Sequence, residues 1–280
     1  MMRVELTDGV RYAVHEAGIG APLLLLHGFT GSGTTWAAWL PDLAHDHRTI
    51  AVDLLGHGGS DAPTSSRHAV ERQAADLVTI LGRLAASPAD VLGYSLGARV
   101  ALRLAIDAPA SVRRLILESP SAGIADPVAR AARRDADGRW VEQLERGDVD
   151  GFVRDWAAQP IFASQQRLPA AIRERLTSER RANVPGALAA SLLGAGQGVM
   201  PPLHERLEGV TAPTLVISGR LDPKGTERAV EVAGGIPGGV HEIVPDAGHT
   251  PHLETPDRFL EIVTAFLATP VTAPIPSFAP

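Results

Sequence analysis

Short runs rich in Val, Ile and Leu recur along the chain at residues 11–15, 22–26, 49–53, 90–94, 114–118, 214–218 and 240–244, and they read as strands. Between several of them the apolar positions take up helical spacing instead. Residues 70–84 place Leu77, Ile80, Leu81 and Leu84 on one face, residues 96–106 form a second such segment, and residues 258–267 a third. Strands that alternate with helices predict an α/β protein with a mostly parallel sheet covered on both faces.

The strand pattern stops at Pro120 and resumes at Thr214. The stretch between is charged, contains tryptophan and has helical periodicity, which predicts a helical cap over 120–207 inserted into a core built from 1–119 and 208–268. The proline-rich residues 269–280 follow the last helical pattern and are expected to form a disordered tail.

A chain of 280 residues with 45% hydrophobic content has enough apolar material for one large core. Its net charge of -6 argues against nucleic acid or an anionic membrane surface as partner and leaves a small molecule as the expected ligand. With no cysteine, the chain holds no disulfide, no thiolate metal site and no Cys nucleophile. The first fifteen residues lack the basic region and apolar run of a signal peptide, and no apolar stretch approaches the length of a membrane span, so a cytoplasmic location is expected. These properties leave the oligomeric state open.

The run Gly93-Tyr94-Ser95-Leu96-Gly97 lies between an expected strand and an expected helix. In that context G-x-S-x-G forms a sharp turn that lifts the Ser hydroxyl above the sheet, with the N–H of Leu96 facing the reacting oxygen from the helix N-terminus. Asp222 follows the strand at 214–218, and His249 follows the strand at 240–244. An acid and a His past the ends of two late strands, in the order Ser, Asp, His, match the α/β-hydrolase arrangement and make Ser95, Asp222 and His249 the expected triad. His27-Gly28-Phe29 follows the strand at 22–26, where the backbone N–H of Phe29 is the expected second oxyanion donor. His27 is read as shaping that loop, as are Asp53 and Gly56-His57-Gly58 for the next one. Residues 28–33 have neither the spacing nor the ending of a phosphate loop, and no zinc motif is present, so no cofactor or metal is expected.

Taken together, these residues resemble the 2-succinyl-6-hydroxy-2,4-cyclohexadiene-1-carboxylate synthases of menaquinone biosynthesis over residues 22–267. The shared features are His27-Gly28-Phe29-Thr30-Gly31-Ser32, Asp53-Leu54-Leu55-Gly56-His57-Gly58, Arg99 behind the G-x-S-x-G turn, and Leu117-Glu118-Ser119-Pro120-Ser121-Ala122-Gly123. More specific are Asp155-Trp156 with Gln159-Pro160-Ile161-Phe162, and Arg181-Ala182-Asn183 with Gly186. The chain departs from the family in Ala98, where glycine is usual.

The resemblance implies a lyase reaction in a hydrolase scaffold, in which the triad Ser acts as a base and pyruvate is eliminated from an anionic substrate. It also implies that Arg99, Arg133 and Arg181 receive the three carboxylates of that substrate, with Arg134 and Arg180 as alternatives to the latter two, and that Tyr94 and Trp156 line the pocket. A carboxylesterase, or another acyl or carbon-carbon bond hydrolase with Ser95 as nucleophile, is the competing reading, because the same triad serves acyl transfer. A binding receptor that has lost activity is a third, disfavoured by the intact triad.

Overall fold

The computed structural model describes residues 1–271; of the expected disordered tail, residues 272–280 lie outside the described residues. The first part of that tail is tied down: the Thr269 N–H donates to the Phe266 carbonyl, and the Thr269 carbonyl accepts from the Arg114 guanidinium.

Eight strands, β1 (Met2–Glu5), β2 (Arg11–Ala17), β3 (Ala21–Leu26), β4 (His47–Val52), β5 (Ala89–Tyr94), β6 (Val112–Glu118), β7 (Thr214–Gly219) and β8 (Val240–Val244), form one sheet in the order β1-β2-β4-β3-β5-β6-β7-β8. β1 and β2 are an antiparallel pair at one edge, and β2 also runs against β4; every pairing from β4 to β8 is parallel. Sequence periodicity passes over β1 because only Val4 of its four residues is buried.

Around the sheet lie α1 (Leu40–Asp46), α2 (Val70–Arg83), α3 (Leu96–Asp107), α8 (Pro223–Gly235), α9 (Pro251–Glu254) and α10 (Pro256–Ala268). The chain leaves the sheet after β6 to form α4 (Pro127–Glu145), α5 (Val149–Ala157), α6 (Ala170–Arg181) and α7 (Pro185–Ala195), and returns at β7. Among the described residues no helix is long and apolar enough to cross a membrane.

The central strands carry consecutive apolar residues, such as Leu23 to Leu26 and Leu115 to Leu117, because each side of the sheet is covered. Leu24, Leu26, Ile50, Val52 and Val91 pack into one buried cluster, which includes Leu77, Ile80 and Leu81 of α2; Leu23, Leu25, Ala51, Leu92 and Ile116 pack into the other, against Phe259, Ile262 and Phe266 of α10. Alternation is therefore present in three dimensions although the sequence shows a continuous run. A third cluster, built on Phe152, Trp156, Phe162, Leu188 and Leu192, holds the inserted helices together. Two cores on a rigid sheet fix the strand ends, and the third sets the inserted helices over them.

Candidate active site

β5 ends at Tyr94 and α3 begins at Leu96, so Ser95 alone makes the turn, with φ +51 and ψ -103. A non-glycine residue there is strained, and the surrounding structure must hold it. Both flanking glycines are required by close approach. A Cβ on Gly93 would stand 2.4 Å from the Gly97 carbonyl oxygen, and one on Gly97 would stand 2.3 Å from that of Leu26. The Ser95 N–H donates to the Glu118 carbonyl at 2.9 Å, which ties the turn to β6.

His249, in the loop after β8, lies with Nε2 3.1 Å from Ser95 Oγ and Nδ1 2.9 Å from Asp222 Oδ2. Asp222 caps the N-terminus of α8, and its other oxygen accepts the Gly225 N–H at 3.0 Å. Burial pushes the Asp222 carboxyl up, but the hydrogen bond and charge of His249, with the Gly225 N–H, hold it below the usual carboxylate range. An ionised Asp222 keeps the proton on Nδ1, which leaves Nε2 to accept from the Ser95 hydroxyl.

The loop that carries His249 is fastened on three sides. Ser119 Oγ donates to the His249 carbonyl, Glu254 accepts from the N–H groups of Gly248 and Thr250, and buried Glu118 accepts both the N–H and Nδ1 of His252. On the other side of the turn, His27 bridges the loops after β3 and β4: its Nδ1 donates to the Gly28 carbonyl and its Nε2 accepts the Leu54 N–H at 2.9 Å. Asp53 accepts the N–H groups of Gly33 and Gly59. These residues shape loops and stand outside the reacting constellation.

One cavity is bordered by Ser95, Leu96, Phe29 and His249 below and by Trp156, Phe162 and Gln197 of the inserted segment above. Leu96 opens α3, so its N–H has no intrahelical acceptor, and with the Phe29 backbone it borders the space next to Ser95. Tyr94 and Trp156 line the same cavity, and the Trp156 ring centroid is 5.0 Å from that of Phe29 and 5.6 Å from that of Phe152.

Of the expected arginines, Arg99 and Arg133 border this cavity. Arg99 is half-buried and donates to the Ala195 carbonyl at 2.6 Å, and burial pulls its guanidinium down to about 10. Arg133 pairs with Asp137 at 2.9 Å and donates to Gln197 Oε1; its rival Arg134 turns to the Gly198 carbonyl.

Arg181 does not reach the cavity. It is exposed and pairs with Asp150 at 2.7 Å, while the adjacent Arg180 is buried, with its guanidinium 5.3 Å from the Phe162 ring centroid and a hydrogen bond to Gln165 Oε1. One residue along a helix is a rotation of roughly 100°, and position 180, the one buried residue of α6, is the one turned inward onto Phe162 and Gln165. Arg180 borders a neighbouring recess that shares Phe29, Tyr94 and Phe162 with the cavity. Sequence reasoning also missed Arg228 and Gln197, which border the cavity. The available signal for Arg228 was its position three residues after Gly225 on the helix that Asp222 caps.

A buried Ser–His–Asp relay beside two candidate backbone donors is equipped to move a proton and to stabilise a developing oxyanion. Comparison with known proteins narrows the choice. The α/β-hydrolase fold family model matches residues 21–256. A Bacillus subtilis protein, provisionally named 2-succinyl-6-hydroxy-2,4-cyclohexadiene-1-carboxylate synthase, is 39% identical, covering 96% of this chain and 98% of its own. A Salmonella paratyphi C protein named as the same synthase is 35% identical over 91% of this chain and 98% of its own. The solved structure of MenH from S. aureus is similar with a TM-score of 0.86 and 31% identity, covering 91% of this chain and 97% of that one.

Proposed function

The chain belongs to the 2-succinyl-6-hydroxy-2,4-cyclohexadiene-1-carboxylate synthase family of α/β hydrolases, and on that premise we propose that it eliminates pyruvate from an enolpyruvyl cyclohexene carrying a succinyl ketone, in menaquinone biosynthesis. The observation that carries the reading is one cavity that holds both the Ser95–His249 pair and the half-buried Arg99, a cation with no carboxylate partner among the described residues. An esterase acting on neutral acyl groups has no use for such a charge. A substrate rich in carboxylates does.

In the proposed reaction His249 Nε2 takes the Ser95 proton as the Ser95 oxygen removes the proton alpha to the succinyl ketone. Negative charge then develops on the ketone oxygen, where the N–H groups of Phe29 and Leu96 receive it. The enolate re-forms its carbonyl and expels the enolpyruvyl oxygen through the ring double bond, and the departing group takes up a proton to become pyruvate. Ser95 forms no bond to carbon in this sequence. Mixing protein and substrate should therefore release pyruvate while the intact mass of the protein stays unchanged through turnover. A covalent adduct on Ser95 that forms and decays at the rate of turnover would overturn the base role.

Arg99 should act mainly in binding. Replacing Arg99 with Gln removes the charge but keeps an amide donor for the Ala195 carbonyl, and is expected to weaken binding of the substrate by about 1.5–3 kcal/mol, the usual worth of a hydrogen bond to a charged group. Steady-state kinetics check this as a rise in KM of roughly 10- to 150-fold. An unchanged KM would remove Arg99 from the carboxylate site.

A further inference from the structure

The cavity borders a guanidinium that neither the triad nor the expected arginine trio uses. Arg228 makes no hydrogen bond or ion pair among the described residues, although the charges of Asp222, Glu227 and Glu231 and of the cation Arg133 act on it. Asp222 directs its two oxygens to His249 and the Gly225 N–H and makes no hydrogen bond or ion pair with Arg228 among the described residues. Arg228 faces the cavity because α8 starts at the Asp222 cap: Gly225 and Arg228, three residues apart on that helix, both border the space next to His249.

Arg99, Arg133 and Arg228 lie near enough to repel one another. The acid in direct contact with the group is Asp137, which Arg133 holds. Burial lowers the Arg228 guanidinium, and Arg133 lowers it further, while Asp222 opposes the shift. A half-buried cation with five N–H donors and no protein acceptor, facing two like charges, is stabilised most by an anion that enters between them.

We propose that Arg228 is a substrate-binding residue that, with Arg99 and Arg133, forms a three-guanidinium carboxylate site inside the catalytic cavity, in the role that the exposed Arg181 does not fill. The inference rests on the preceding reading that the substrate carries several carboxylates. Arg180 is a poorer third member because its guanidinium lies over the Phe162 ring in the adjoining recess, on Gln165. Arg228 binds a carboxylate and takes no part in moving the proton.

The test compares wild type with Arg228→Gln and Arg228→Lys. With the enolpyruvyl substrate, the Gln variant should raise KM about 10- to 100-fold with a much smaller change in kcat, and Lys should recover part of the loss as a point charge without the bidentate fork. A structural role would instead lower the thermal midpoint and kcat together. Calorimetric titration with 2-(3-carboxypropanoyl)benzoate, a stable dicarboxylate, separates this proposal from the functional one. If wild type releases no pyruvate but still binds the dicarboxylate at least tenfold more tightly than Arg228→Gln, the elimination reading fails and the Arg228 site stands for another anionic substrate. Equal KM and equal dicarboxylate affinity in wild type and Arg228→Gln would overturn the site, as would a wild type that binds neither compound.

Discussion

Replacing Ser95 with Ala is expected to lower kcat by roughly a thousandfold or more, the scale at which triad enzymes respond to loss of a member. In the proposed sequence the Ser95 oxygen is the atom that takes the carbon-bound proton, so its removal leaves His249 too far back to do the same work directly. Binding should survive. The Ser95 side chain does not cap α3, and its one hydrogen bond among the described residues is to His249 Nε2. KM is therefore expected to stay within a few-fold of wild type while kcat falls. Stability should change little, because the backbone strain at φ +51 is the same for Ala as for Ser. Turnover within tenfold of wild type, with the fold intact, would remove Ser95 from the chemistry.

Asp222→Asn should have an effect at least as large, on the order of ten-thousandfold in kcat. The side chain keeps its shape, and Asn caps a helix N-terminus as well as Asp does, so the bond from the Gly225 N–H and the start of α8 are expected to persist. What changes is the imidazole. An amide N–H turned toward His249 Nδ1 forces the proton onto Nε2, and that nitrogen then has no lone pair for the Ser95 proton. The lost carboxylate also removes the charge that stabilises a protonated His249. A large fall in kcat beside a modest shift in thermal midpoint is the expected pair of results. Equal losses of structure and activity would mark Asp222 as a helix cap alone.

The parts of this molecule that were legible in the sequence are those with short-range signatures. Ser95, Asp222 and His249 each sit one turn past a strand, and Gly93 and Gly97 mark the tight turn because backbone atoms approach where a Cβ would stand. The parallel core was legible because strands buried on both faces carry consecutive apolar residues. β1 was not, since an edge strand with one buried residue leaves no periodic trace. Arg180 and Arg181 were beyond resolution for a different reason. Adjacent helix positions differ by roughly 100°, and which one faces inward depends on how α6 meets Phe162 and Gln165, a tertiary contact that the sequence does not print. Arg228 went unread because α8 mixes charged and small residues, and its cavity-facing side is defined by the Asp222 cap.

The proposed substrate offers the cavity both an acidic carbon-bound proton and a leaving enolpyruvyl group. The most direct measurement is kcat/KM of the wild-type protein for pyruvate release from that cyclohexene substrate, taken beside kcat/KM for a short-chain nitrophenyl ester under the same conditions. Pyruvate released in step with substrate loss, at a kcat/KM exceeding that for the ester by orders of magnitude, is the result predicted for a proton-abstracting Ser95 beneath Arg99 and Arg133. Efficient hydrolysis of the ester with no pyruvate from the cyclohexene would contradict it and make Ser95 an acyl-forming nucleophile.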